Sequence, residues 1–138
     1  LRVPFAQAAE ALKKEVLMSL KVLVADDSNT MRKIILRSLQ AVGVPEAVEA
    51  KDGAEAVALF QQSTPDLVLT DWNMPGKTGL EVIREIRALN ADVPIIMITT
   101  EAEKSRVMEA IQAGVSDYLI KPFDADTLRA KLGKYSEA

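Results

Sequence analysis

An α/β fold, a five-stranded parallel sheet with helices on both faces, is predicted by three features of the sequence. Five short apolar runs alternate with segments of helical period. Three of those runs, at 20–25, 67–70 and 94–98, are near-continuous in Val, Leu and Ile, as strands buried on both faces should be. Capping residues, glycines and prolines separate each run from the next.

Leu20 to Ala25 forms the first strand and ends in Asp26-Asp27. Met31, Ile34, Ile35, Leu36 and Leu39 follow at helical spacing, and Gly43 stops that helix. A weaker strand lies between Val44 and Ala50. Asp52 and Glu55 make a capping box for a helix through Ala56, Val57, Leu59 and Phe60, which Thr64-Pro65 breaks. Leu67 to Thr70 is the third strand and ends in Asp71. The loop Asn73-Met74-Pro75-Gly76-Lys77 leads to a second capping box, Thr78 with Glu81, and a helix carrying Leu80, Val82, Ile83 and Ile86. Pro94 to Ile98 is the fourth strand and ends in Thr99. Thr100 and Glu103 cap a helix with Val107, Met108 and Ile111, closed by Gly114. Tyr118-Leu119-Ile120 is the fifth strand and ends at Lys121-Pro122. Asp124 opens a last helix through Leu128 and Leu132.

Composition narrows the chemistry. The 138 residues make about one domain and carry a net charge of −3, with no electrostatic footprint for nucleic acid. Cysteine and histidine are absent, which removes disulfides, thiol and Ser-His-Asp nucleophiles, and histidine or cysteine zinc sites. No apolar run approaches the roughly 18 residues of a membrane span. No membrane partner and a cytoplasmic location are expected.

A parallel sheet gathers the carboxyl ends of its strands on one edge, where ligands bind at the reversal of winding. Four strands here end in polar groups: Asp26-Asp27, Asp71, Thr99 and Lys121. Taken singly, each has a plain reading: a helix cap, a loop acid, another cap and a solvated lysine. Taken together they converge. Three carboxylates on one rim must take up protons or bind a cation. Oxygen ligands alone suit a hard ion, Mg²⁺ before zinc. A lysine and a threonine hydroxyl beside them suit a phosphoryl group, with one carboxylate as acceptor.

Asp26-Asp27, Asp71-Trp72-Asn73-Met74-Pro75, Thr99-Thr100-Glu101 and Tyr118-Leu119-Ile120-Lys121-Pro122-Phe123 together resemble the receiver domain of two-component response regulators, most of all its single-domain chemotaxis members. The resemblance runs from about residue 20 to residue 134. It implies a flavodoxin-like, doubly wound sheet of order 2-1-3-4-5. It implies Asp71 as phosphoacceptor, and Mg²⁺ held by Asp26, Asp27, Asp71 and the backbone carbonyl of Asn73. Lys121 would pair with the phosphoryl group, its own peptide bond to Pro122 being typically cis. Thr99 and Tyr118 would be switch residues, with Asn73 and Glu101 tuning dephosphorylation. An output surface would comprise Ala102, Val107, Tyr118, Ile120, Lys131 and Lys134.

The partners so implied are a sensor histidine kinase and, beyond it, a flagellar motor switch protein or a phosphatase. The module would catalyse only its own phosphorylation and dephosphorylation, with output through protein binding. Two alternatives stand beside this reading. One is a phosphate sink that drains a kinase. The other is a phosphatase working through an acyl phosphate, against which stands Asn73 where such enzymes carry a second acid.

Residues 1–17 lie outside the resemblance, and 18–138 form the expected receiver. Pro4 suits a first helical turn, and Phe5, Ala9, Leu12 and Val16 then make an amphipathic stripe. Either the segment is foreign to the natural protein, or it is a native helix. An apolar stripe of this kind is expected to dock on its own or a neighbouring receiver. The receiver is otherwise expected to be monomeric.

Overall fold

The structure, a computed structural model, describes residues 3–100 and 104–136. The elements run α1 (Phe5–Ser19), β1 (Lys21–Ala25), α2 (Asn29–Ala41), β2 (Glu46–Ala50), α3 (Gly53–Ser63), β3 (Leu67–Thr70), α4 (Gly79–Leu89), β4 (Ile95–Thr99), α5 (Lys104–Ala113), β5 (Asp117–Ile120) and α6 (Ala125–Ser136). All strand pairs are parallel, in the order β2-β1-β3-β4-β5. This is the flavodoxin-like winding expected, and it reverses direction between β1 and β3.

Alternation along the strands divides the core into two layers. Leu23, Ala25, Val68, Ile95 and Met97 face α3, α4 and α5, against Ala56, Phe60, Val82, Ile83, Ile86 and Ala110. Val22, Val24, Leu67, Leu69, Ile96 and Ile98 face the other way, against Ile35 and Leu39 of α2 and Leu128 and Leu132 of α6. Every residue of β3 and β4 is buried, which is why those strands read as unbroken apolar runs.

Asp52 and Thr78 cap their helices as the sequence predicts, but the glutamates do not return the bond to the N-cap N–H: Glu55 accepts from the Lys51 N–H at 3.3 Å and Glu81 from the Thr78 hydroxyl at 3.4 Å. The Asp52 carboxylate accepts from the Glu55 N–H at 2.8 Å, and the Thr78 hydroxyl accepts from the Glu81 N–H at 3.3 Å. The start of α2 differs from the plain reading of Asp26-Asp27 as a cap. Ser28 is the N-cap, its hydroxyl accepting from Met31 N–H at 3.2 Å. That leaves the two aspartates available for other work. The cap expected from Glu103 falls outside the described residues.

The amphipathic stripe of α1 docks at one end only. Leu17 is buried in the layer shared with α2 and α6, and Val16 is half-buried. Phe5 and Leu12 are exposed at 89% and 62%. The helix meets the rest of the chain where its last turn reaches α6, while Phe5 and Leu12 in its earlier turns stay exposed. Among the described residues no helix is long and apolar enough to cross a membrane.

Candidate functional site

Register sets the site. Ala25 pairs with Ala50 on one side and Thr70 on the other, so Asp26 and Asp71 emerge level from neighbouring strands. Both are still held by the sheet as they leave it. Asp26 N–H donates to the Ala50 carbonyl at 3.1 Å and Asp71 N–H to the Ala25 carbonyl at 2.8 Å. The crevice between them is the switch point of the sheet.

Carboxylate oxygens of Asp26, Asp27 and Asp71 all lie within 4.8 Å of one another. Asp26 is buried, Asp71 half-buried and Asp27 exposed, a gradient from the sheet outward. The Lys121 ammonium reaches in from the end of β5, 3.0 Å from Asp26 Oδ2 and 3.5 Å from Asp71 Oδ2. Its side chain is only 11% exposed, so it is not a solvated surface lysine. The Lys121–Pro122 peptide is cis, as the resemblance implies. Asp71 Oδ1 accepts from the Trp72 N–H at 2.7 Å.

Burial pushes the Asp71 carboxyl up from its ordinary value. Lys121 and the Trp72 N–H pull it down and the Asp26 charge pushes it up, leaving it raised. An acid held this way gains from a cation. The donor set consists of hard oxygens, it is geometrically convergent, and it fits a divalent ion such as Mg²⁺.

The remaining predicted residues take varied places. Thr99 is buried at the end of β4, and its carbonyl accepts from Lys121 N–H at 2.9 Å, joining the two strand ends. Thr99 therefore belongs to the sheet and not to a helix cap. Asn73 is exposed on the loop after Asp71. Tyr118 is half-buried against the α3–α5 layer. Val107 is half-buried, Ile120 is 40% exposed, and Lys131 and Lys134 lie along α6. Both lysines turn to Asp117, at 2.8 and 3.9 Å. Glu101 and Ala102 fall outside the described residues.

Three residues around the site escape the reading of the sequence. Gly79 opens α4 against the loop after Asp71. A Cβ there would stand 2.2 Å from the Asp71 carbonyl oxygen, so only glycine fits. The signal for it was present, since Gly79 directly follows the Thr78 cap. Arg106 lies 5.0 Å over the ring of buried Trp72, linking α5 to the residue beside Asp71. Arg32 is buried on α2 and donates to the Asp26 carbonyl at 2.6 Å. Neither arginine carries a spacing signal that separates it from an ordinary surface cation.

Residues 22–133 match the model of the response regulator receiver domain. The chain is 42% identical over 121 residues to the chemotaxis protein CheY-3 of Vibrio cholerae, covering 86% of this chain and 93% of that one. It is 41% identical over 120 residues to the chemotaxis protein CheY of Pseudomonas aeruginosa, covering 86% and 97%. Among solved structures it is similar to the chemotaxis response regulator CheY4 of Vibrio cholerae. That comparison has a TM-score of 0.79 and 36% identity over 84% of this chain and 98% of that one. With the sheet order, the convergent aspartates and these relatives in agreement, the chain belongs to the response regulator receiver domain family and is a CheY-like regulator of two-component signalling.

Proposed function

We propose that Asp71 accepts a phosphoryl group from the phosphohistidine of a sensor kinase and that the modified domain changes its affinity for a protein partner. The observation that carries this reading is the Lys121 ammonium between Asp26 and a half-buried Asp71 at the switch point of the sheet. One Asp71 oxygen attacks phosphorus while the phosphorus–nitrogen bond of the donor breaks, and the leaving imidazole keeps the bonding pair and takes up a proton. Asp26, Asp27, Asp71 and the Asn73 carbonyl would hold Mg²⁺, which when bound neutralises the phosphoryl oxygens. Lys121 supplies the second positive charge, and the hydroxyl of Thr99, buried at the end of β4 beside Lys121, is the donor that would complete the grip. Tyr118 then follows Thr99, and the surface of α5, β5 and α6 is biased between two states. The chain acts on itself alone, as a signalling module and not as an enzyme with turnover on a separate substrate.

The named relatives are chemotaxis proteins, which supports chemotactic signalling as the setting and a flagellar motor switch protein or a phosphatase as the further partners. The exposed Ile120 and Lys134 fit the edge of an output surface.

Incubation with ³²P-labelled acetyl phosphate and Mg²⁺ tests the acceptor. Wild type should incorporate label and Asp71→Asn should not, since an amide is a poor nucleophile and a weaker Mg²⁺ ligand. Label persisting in Asp71→Asn would move the acceptor elsewhere, with Asp26 the first suspect.

A further inference from the structure

We propose that Arg32 is a positioning residue for the Asp26–Asp27 turn, a fixed cation that keeps the metal-binding carboxylates in place when Lys121 turns toward a phosphoryl group. The inference rests on the phosphoacceptor reading above and concerns how the acidic cluster is held together.

Asp26 has each of its oxygens engaged. Oδ1 accepts from the Ser28 N–H at 2.9 Å, Oδ2 from Lys121 at 3.0 Å, and the backbone carbonyl from Arg32 Nη1 at 2.6 Å. Two cations therefore hold this residue from different ends, one through its carboxylate and one through its backbone. They differ in how free they are to leave. Lys121 also lies 3.5 Å from Asp71, where a phosphoryl group would offer it new negative oxygens. Its flexible stem and compact charge let it follow them. Asp26 would then lose its side-chain cation just as a further anionic group joins the three carboxylates.

Arg32 cannot follow. Its guanidinium is pinned on three elements at once. Nη2 donates to the Asn29 side chain in the first turn of α2, Nε donates to Glu49 on β2 at 3.2 Å, and Nη1 holds the turn after β1. The residue is 8% exposed, and a guanidinium does not shed its proton in proteins. The fork thus fixes where the Asp26 carbonyl points, and with it the direction in which Asp26 and Asp27 leave the sheet. It also keeps a permanent positive charge behind three carboxylates. An outer group of this kind ordinarily carries about ten- to a hundredfold in metal affinity.

The test is Mg²⁺ titration of the full chain by calorimetry, with Trp72 fluorescence as a second readout. It compares wild type, Arg32→Lys, Arg32→Met and the same changes in a Lys121→Met background. Arg32→Lys keeps the charge and loses the fork. Mg²⁺ affinity should fall about tenfold in Arg32→Lys and in Arg32→Met, which both lose the fork, and by a larger factor when Lys121 is already gone. Labelling by acetyl phosphate in Arg32→Lys should return to the wild-type rate at saturating Mg²⁺, a rescue that general loss of structure would not show. Wild-type affinity in both Arg32 variants, or losses independent of Lys121, would overturn the proposal. Should the Arg32 variants fail to fold, Glu49→Ala removes one anchor, the acceptor of the Nε bond, from an exposed position. It should lower Mg²⁺ affinity in the same direction, and unchanged affinity there would count against the proposal equally. Asp27→Ala serves as the control: Mg²⁺ bound as tightly as by wild type would overturn the metal reading itself.

Discussion

At the scale of single residues the site is a cluster of charges that the fold holds against their own preferences. Asp71 shows this most directly. Burial raises its carboxyl even after Lys121 and the Trp72 N–H have pulled the other way. A carboxyl raised in the folded state contributes stability that is fully present below its ordinary value near 3.8 and is lost as pH rises through the folded value. At pH 7 the ionised Asp71 is therefore a net cost to folding. Asp71→Asn in Mg²⁺-free buffer should unfold at a higher urea concentration than wild type at pH 7, with the gap closing below the ordinary carboxylate value. A lower midpoint for the variant at pH 7 would show that the Lys121 pairing outweighs burial. Lys121 sets the companion prediction. Lys121→Arg should still be phosphorylated, since Mg²⁺ would neutralise most of the developing charge. The planar fork should grip the product differently and draw Thr99 in less far. A coupling weaker by about 1.4 kcal/mol would reduce the population shift roughly tenfold. Partner affinity of the phosphorylated variant should fall on that order, and equal affinities would remove Lys121 from the switch.

At the scale of elements, what the sequence made legible is what each segment decides for itself. The buried strands announce themselves as apolar runs, and Asp52 with Glu55 and Thr78 with Glu81 cap their helices by contacts three residues apart. Asp26, Asp27, Asp71 and Lys121 could be placed on one rim because parallel topology alone brings their strand ends together. Contacts between distant elements were not legible. Arg32 reaching β2, Arg106 over Trp72 and the fit of Gly79 against Asp71 are set by packing that no local period encodes. Helical period also overstates burial. Met108 and Ile111 follow the apolar rhythm of α5 yet are 48% and 55% exposed, because α5 lies at the rim of its layer. The clasp between β5 and α6 is another such contact. Burial alone would raise Asp117, but hydrogen bonds from Lys131, the Tyr118 N–H and the Tyr135 hydroxyl outweigh it and hold the carboxyl below its ordinary value. A depressed carboxyl contributes stability above the unfolded value near 3.8 and loses it as pH falls through the folded one. Asp117→Asn should therefore cost about 1 kcal/mol at pH 7, at the low end for bonds to a partly solvated charge. The difference should shrink below pH 3.8. Equal urea midpoints at pH 7 would make the clasp a surface pairing without consequence for α6.

At the scale of the whole molecule, the two core layers share one sheet, so the fold stands on contacts that α1 largely does without. Its share of the core is Leu17, at 8% exposure, beside Leu20 in the link to β1. A chain beginning at Met18 keeps Leu20, the sheet and every residue of the acidic site. Loss of the Leu17 side chain should lower stability by about 1–2 kcal/mol, since the burial removed is one leucine and the last turn that carries it. Mg²⁺ affinity should not change, because the site lies at the carboxyl ends of β1 and β3, whereas α1 leads into the opposite, amino end of β1. The same geometry decides the oligomeric state. A stable pairing of two chains needs about 800 Å² on each partner and some 20–30 residues. The outer face of α1, with Phe5 and Leu12 exposed, is part of a helix of 15 residues and supplies only a fraction of that. Light scattering at micromolar concentration should therefore give the mass of one chain, both for the full sequence and for the form beginning at Met18. A dimer mass for the full sequence that falls to a monomer on removing 1–17 would show that the exposed stripe pairs two receivers, and that α1 is an assembly element and not a loosely docked extension.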